Sequence, residues 1–132
     1  MDNVFVYGSL RKGFGLHSAL TSCGVDFVGT AKCYGMVMFD LGSFPGILES
    51  ENSDDVIVGE LYKMDDSEYA LGVLDQIEGV PYLYKRNKVM VKTMHDDKSH
   101  QSWVYVYNAG RHATDQKNKI SHGDYKKYKR IV

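Results

Sequence analysis

Glu78 is the residue whose position speaks most directly to chemistry. It lies four positions after Leu74 and seven after Leu71, so on a helix it extends the edge those two leucines define. If that edge faces inward, the carboxylate is partly withdrawn from water, and desolvation favours its neutral form. The negative end of the helix dipole acts in the same direction when the residue stands in the last turn. A carboxyl poised near neutrality is what proton transfer at ordinary pH requires. The same spacing also fits a glutamate that faces solvent at a helix end or pairs with Arg86. The second feature is Tyr7-Gly8-Ser9-Leu10-Arg11-Lys12-Gly13. A sharp turn of this composition can aim successive main-chain amides at a carboxylate or an oxyanion, and Gly8 allows close approach to the backbone. An ordinary glycine turn without a ligand has the same appearance.

Other chemistries find less support in the residues. The run Gly13-Phe14-Gly15-Leu16 lacks the Lys-Ser/Thr pair that completes a phosphate loop, and no dinucleotide fingerprint is present. The five histidines, His17, His95, His100, His112 and His122, show no zinc-type spacing with one another or with Cys23 and Cys33. No metal is predicted. A serine nucleophile would need an elbow motif, and Ser9 and Ser43 have no identifiable base. Tyr82, Tyr84, Tyr105 and Tyr107 read as core aromatics with tied hydroxyls or as the wall of a pocket.

The elements that must position these residues follow from patterning. Val4–Tyr7 reads as a buried strand ending at Gly8, with a loop over residues 10–15 and a brief helix over 17–23. Val25–Val28, Cys33–Phe39 and Val56–Tyr62 carry strand-like density of β-branched and aromatic residues. Residues 42–46 form a turn cluster, and residues 49–55 a polar acidic loop. The clearest helix is predicted from an Asp65 N-cap, with Glu68 completing a capping box, to about Ile77, with Gly79 and Pro81 as its stop. Its apolar positions are Tyr69, Val73, Leu74 and Ile77. Tyr84–Met94 and Gln101–Tyr107 are strands joined by a hairpin loop over residues 95–100. This pattern predicts an α+β fold, a small mixed β-barrel-like sheet with one or two helices, in a single domain spanning residues 1–132. From Gly110 onward the pattern weakens, and Lys117, Lys119, Lys126, Lys127, Lys129 and Arg130 read as a solvated basic face.

Composition sets the outer limits. At 132 residues the chain can bury a continuous core unaided, and its ten tyrosines and 43% apolar content argue for order. A net charge of −1 supplies no field to draw the whole molecule to nucleic acid or an anionic membrane. The start of the chain has no signal-type or membrane-spanning segment, which predicts a cytoplasmic protein. Cys23 and Cys33 are read as free, semi-buried thiols.

The chain resembles the gamma-glutamylcyclotransferase-like family, of the AIG2-like or short bacterial type, at three landmarks in order. These are the strand and turn Val4-Phe5-Val6-Tyr7-Gly8-Ser9-Leu10-Arg11, the segment Phe44-Pro45-Gly46-Ile47, and the helix end Leu74-Asp75-Gln76-Ile77-Glu78-Gly79 followed by Tyr84-Lys85-Arg86. The strand Trp103-Val104-Tyr105-Val106-Tyr107 and the segment Ser121-His122-Gly123-Asp124-Tyr125 resemble the family's closing elements, with His122 as an insertion. The resemblance implies a cofactor-independent acyltransferase or lyase. It would cleave a gamma-glutamyl amide through the substrate's own α-amino group and release 5-oxoproline and an amine. It further implies Glu78 as catalytic acid/base, with Tyr7, Gly8, Ser9, Leu10, Phe44, Pro45, Tyr84 and Tyr107 around the substrate. The expected partner is a small gamma-glutamyl molecule, with no nucleic acid and no membrane, and the oligomeric state is left open. Two other readings stay open: a non-catalytic ligand-binding or regulatory protein on the same fold, and a nucleic-acid or partner-binding module acting through residues 117–130.

Overall fold

The computed structural model describes residues 2–110 and 115–130. His112 and the rest of residues 111–114 lie outside the described residues, as do residues 1, 131 and 132. In chain order the strands are β1 (Asn3–Val6), β2 (Val25–Tyr34), β3 (Met36–Asp40), β4 (Pro45–Glu49), β5 (Val56–Met64), β6 (Tyr84–Thr93), β7 (Ser99–Tyr107) and β8 (Lys119–Ile120). The helices are α1 (His17–Thr21), α2 (Ser67–Ile77) and α3 (Tyr125–Tyr128), with a 3-10 turn at Gln116–Asn118. The expected α+β barrel is present, and the described residues include three helices where one or two were expected. Two of them are only a turn or so long.

Five strands close into a barrel in the order β1-β5-β2-β6-β7, and β4-β3-β8 form a separate three-stranded sheet. Parallel pairing of β1 with β7 at Val4 and Trp103 makes the closure. Alternation along β1 sends Phe5 and Tyr7 into one buried cluster and Val4 and Val6 into another. The β7 strand behaves likewise, with Val104 and Val106 on the first side and Tyr105 on the second. Both strands are therefore buried on two faces, which explains why they read as continuous apolar runs. The second cluster is roofed by α2, which buries Ala70, Leu71 and Leu74.

Several local expectations need correction. The cap of α2 is Asp66, whose side chain accepts from the Tyr69 N–H at 3.1 Å. Asp65 is occupied at the end of the preceding strand, where its N–H donates to Gly24 O at 3.0 Å. Glu68 therefore sits one position early for a capping box, although it still adds negative charge to the first turn. Tyr69 faces solvent at 57% exposure, so the inward face centres on Ala70, Leu71 and Leu74 instead. Residues 25–34 run as one strand, and Gly35, at a φ of +79°, makes the break. Strand β4 falls where turn and acidic loop were expected. Pro45 and Gly46 punctuate the sequence, yet Pro45 opens a hairpin strand that pairs with β3 from Asp40 to Met36.

The basic tail is also more structured than its composition suggests. Ile120, Gly123 and Tyr125 are buried, while Lys117, Lys127, Lys129 and Arg130 remain exposed. Gly123 sits at a φ of +71°, and a Cβ there would lie 2.1 Å from Val56 O, so only glycine lets the tail cross β5 this closely. Cys23 and Cys33 are free and buried. Among the described residues, no helix is long and apolar enough to cross a membrane.

Candidate active site

Helix α2 ends in a way that fixes Glu78. Gly79 takes the left-handed conformation, with φ at +64°. The Gly79 N–H reaches Gln76 O at 3.3 Å, and the Val80 N–H reaches Asp75 O at 3.0 Å. This pair of bonds is the Schellman closure, which makes Glu78 the C-cap and stops the helix one residue beyond its leucine edge. The carboxylate consequently joins the wall of a cavity of about 130 Å³. Apolar cavities of roughly 150 Å³ accept a benzene-sized group, so this one matches a five-membered ring with its substituents.

The opposite wall is the turn after β1. The Arg11 N–H closes it on Gly8 O at 2.9 Å, leaving the N–H groups of Ser9 and Leu10 without an acceptor among the described residues. Gly8 is required here, because a Cβ would stand 2.6 Å from Pro45 Cγ and 2.9 Å from its Cδ. His17 pins the far side of the turn, donating from Nδ1 to Leu10 O at 2.8 Å. Beneath the turn, the buried Arg11 places Nε 3.2 Å from Glu60 Oε2 and Nη1 2.8 Å from Asp124 Oδ1. Glu60 also accepts from the Lys12 N–H and the Tyr62 hydroxyl, both at 3.0 Å. The turn, the barrel strand β5 and the cap of α3 are thereby tied into one buried ionic network.

Among the described residues, Glu78 is the single charged one on the cavity wall. No side chain among the described residues hydrogen bonds to it or pairs with it, and burial lifts its pKa from an ordinary 4.5 to about 7. Desolvation by burial, one of the two effects expected from the sequence, is the cause of this rise. Pairing with Arg86 does not occur, because Arg86 is engaged by Asp75, at 3.0 Å from Nε to Oδ1 and 3.1 Å from Nη2 to Oδ2. Two carboxylates three residues apart on one helix thus have opposite surroundings. Burial also raises Tyr7, Tyr84 and Tyr105, and the nearby Glu78 carboxylate adds to each.

Of the residues singled out in the sequence, Tyr7, Gly8, Ser9, Leu10, Phe44, Pro45, Glu78 and Tyr84 line this one cavity. Tyr107 does not. It pairs across from Tyr84 in the β6–β7 ladder and packs edge-on against the Tyr84 ring at 6.1 Å, behind the wall. Tyr105 lines the cavity in its place. The sequence treats these two tyrosines alike, because they share a strand face and only the register relative to α2 separates them. Ile77, together with Leu16 and Leu83, which carried no sequence signal, completes an apolar rim. Among the described residues, no group of three or more His, Cys, Asp or Glu side chains is arranged to hold a metal ion.

The family model for gamma-glutamyl cyclotransferase, AIG2-like, matches residues 4–127. The chain belongs to this family. A Methanocaldococcus jannaschii protein, whose name places it provisionally among the gamma-glutamylcyclotransferases, is 34% identical over 98% of this chain and 99% of its own length. Gamma-glutamylaminecyclotransferase A of Danio rerio is 31% identical to this cyclotransferase-family chain, over 89% of the chain and 74% of its own length. The crystal structure of a Mus musculus AIG2-like protein superposes with a TM-score of 0.79 at 25% identity, covering 95% of this chain and 88% of that one.

Proposed function

We propose that this protein is a gamma-glutamyl cyclotransferase that releases 5-oxoproline from a small gamma-glutamyl amine, with Glu78 as general acid and base. The observation that carries the reading is a carboxylate with a pKa of about 7 in the lining of a ring-sized cavity, with no partner among the described residues, and a turn in the same lining whose two amides have no acceptor among them. In the ionised form Glu78 takes the proton from the substrate's α-nitrogen as that nitrogen attacks the γ-carbonyl carbon. The new C–N bond closes a five-membered ring, and the carbonyl oxygen becomes an oxyanion held by the Ser9 and Leu10 N–H groups. Protonated Glu78 then returns the proton to the leaving nitrogen. The original C–N bond breaks, the oxyanion collapses to the lactam carbonyl, and 5-oxoproline and a free amine result. A group with a pKa near 7 serves both halves of this exchange at neutral pH. Holding nucleophile and carbonyl within one small cavity supplies the proximity term.

The rim supports a choice of leaving group. Leu16, Phe44, Ile77 and Leu83 offer apolar contact and no cation, so an aliphatic amine suits this site better than a peptide bearing a carboxylate. The experiment is 5-oxoproline release from a panel of gamma-glutamyl compounds, comparing the native protein with Glu78→Gln. Release that favours alkylamines and vanishes in the variant is expected. Release retained in the variant would refute the role of Glu78, and no release from any member would turn the assignment to a non-catalytic ligand-binding protein.

A further inference from the structure

Three tyrosines line the cavity, and the hydroxyl of each has its proton committed elsewhere. Tyr7 donates to Tyr105 O at 2.6 Å, Tyr84 donates to Pro45 O at 2.6 Å, and Tyr105 donates to Asp75 Oδ1 at 2.8 Å. Main-chain carbonyls can only accept, and so can a carboxylate ionised by a guanidinium. The direction of all three bonds is therefore fixed, and each phenol has only acceptor capacity left to offer. The three differ in how much of it is free. Tyr7 also takes the Ile47 N–H, whereas the Tyr84 oxygen has no donor among the described residues. Its position is rigid: the ring is held between Phe44 at 6.2 Å and Tyr107 at 6.1 Å, and the side chain is buried.

We infer that Tyr84 is a positioning residue for the nucleophile: its hydroxyl oxygen accepts one N–H of the substrate's α-amino group while Glu78 accepts the other. The inference rests on the cyclotransferase reading above and deepens it. A neutral amine has two N–H bonds and one lone pair. With both N–H bonds held by fixed acceptors, the direction of the lone pair is set, and it can be aimed at the γ-carbonyl. Among the described residues no lysine, arginine or histidine lines the cavity, so the described wall beside Glu78 has acceptors and no competing cationic donor. The donors are on the opposite side, in the Ser9 and Leu10 amides. The site is thereby polarised from the attacking nitrogen to the γ-carbonyl oxygen.

The test uses the native protein and Tyr84→Phe with three ligands: a gamma-glutamyl alkylamine, the glutaryl alkylamide that lacks the α-amino group, and the α-methoxy analogue, which can only accept. The last two cannot close a ring and are measured as competitive inhibitors. The native protein should bind the amino compound at least about tenfold more tightly than the glutaryl compound, and the methoxy compound more weakly than either. In Tyr84→Phe the preference for the amino compound should collapse, with kcat falling by about tenfold or more and the glutaryl inhibition constant unchanged. Equal weakening of amino and glutaryl ligands in the variant would assign Tyr84 a purely structural role and overturn the inference. Unchanged kcat and preference would overturn it as well. If Tyr84→Phe does not fold, the native ligand series decides by itself: tight binding of the methoxy analogue would refute an acceptor wall. Absence of 5-oxoproline release from every amino compound would remove the cyclotransferase reading and this inference together, whereas release with undiminished preference in the variant would sink only the role of Tyr84.

Discussion

Glu78→Gln should stabilise the folded protein, and the gain should depend on pH in a direction the site dictates. Burial moves the carboxyl from 4.5 to about 7 in the folded chain, while in the unfolded chain it titrates near its ordinary value. Below pH 4.5 the group is protonated in both states and contributes nothing to the balance. Between 4.5 and about 7 the unfolded chain has lost this proton and the folded chain retains it, so the unfolded state binds fewer protons and stability falls as pH rises. Above about 7 the penalty is complete. At about 1.4 kcal/mol for each tenfold change in protonation, it amounts to roughly 2–3 kcal/mol once water at the cavity mouth is allowed for. Glutamine keeps the shape and cannot ionise. Urea unfolding of both proteins from pH 4 to pH 8 should give a stability difference that is flat at the acid end, opens between pH 5 and 7, and levels off above. The kcat/KM of the native enzyme should decline on the acid side of the same inflection, since the ionised form accepts the first proton. A stability difference that stays constant across the range would show that Glu78 is solvated, and the acid/base argument would fall with it.

Two further outcomes follow from the turn that faces Glu78. Arg11→Ala leaves the buried Glu60 with only the Lys126 ammonium at 3.7 Å and the half-buried Asp124 without its guanidinium, so it should cost roughly 3 kcal/mol and lower Tm by roughly 10 °C in a thermal melt; a fall of under about 3 °C would mean that the network is solvated. Gly8→Ala brings a methyl within 2.6 Å of the Pro45 ring, which cannot rotate away, so the turn must shift; kcat/KM should drop more than tenfold while Tm falls only a few degrees, and full activity would show that the amides of this turn do not hold the substrate.

Much of the fold was legible because both signals are local. The β1 and β7 runs announce burial on both faces, and Leu71, Leu74 and Glu78 recur at helical spacing, so strands and helix could be read directly, while periodicity left the inward direction of the glutamate open. What escaped was long-range. Arg11 and Glu60 are 49 positions apart, and Arg11 and Asp124 are 113 apart; nothing near any of them marks a buried ion network. Strand β4 was hidden by its own Pro45 and Gly46, whose turn chemistry is real but belongs to the start of a hairpin strand. That Tyr105 lines the cavity and Tyr107 does not could not be read from the sequence, because periodicity defines a strand face and not its height against a neighbouring helix. The Asp65 and Asp66 pair shows the same limit at shorter range: adjacent residues of one type compete for the cap, and the Gly24 carbonyl, forty-one positions upstream of Asp65, decides which is free.

The two carboxylates of α2 give the physical reason for separating fold from site. Asp75 takes the guanidinium of Arg86 and the hydroxyl of Tyr105, so its charge is satisfied at the barrel wall. Glu78, one turn later, has neither. Had stability alone governed the choice, Arg86 could serve the more buried of the two acids, or a glutamine could stand at position 78 without a desolvation penalty. The chain instead commits its nearby cation to Asp75, which anchors Tyr105, and carries an uncompensated carboxylate at the lip of a cavity. A protein tolerates a cost of roughly 2–3 kcal/mol against a total stability of about 5–15 kcal/mol where the strained group does something the relaxed one cannot. On the cyclotransferase reading proposed above, that is proton transfer at neutral pH, and the same reading accounts for Asp75: moving Arg86 to Glu78 would return the pKa of Glu78 to the acid range and release Tyr105 at the same time.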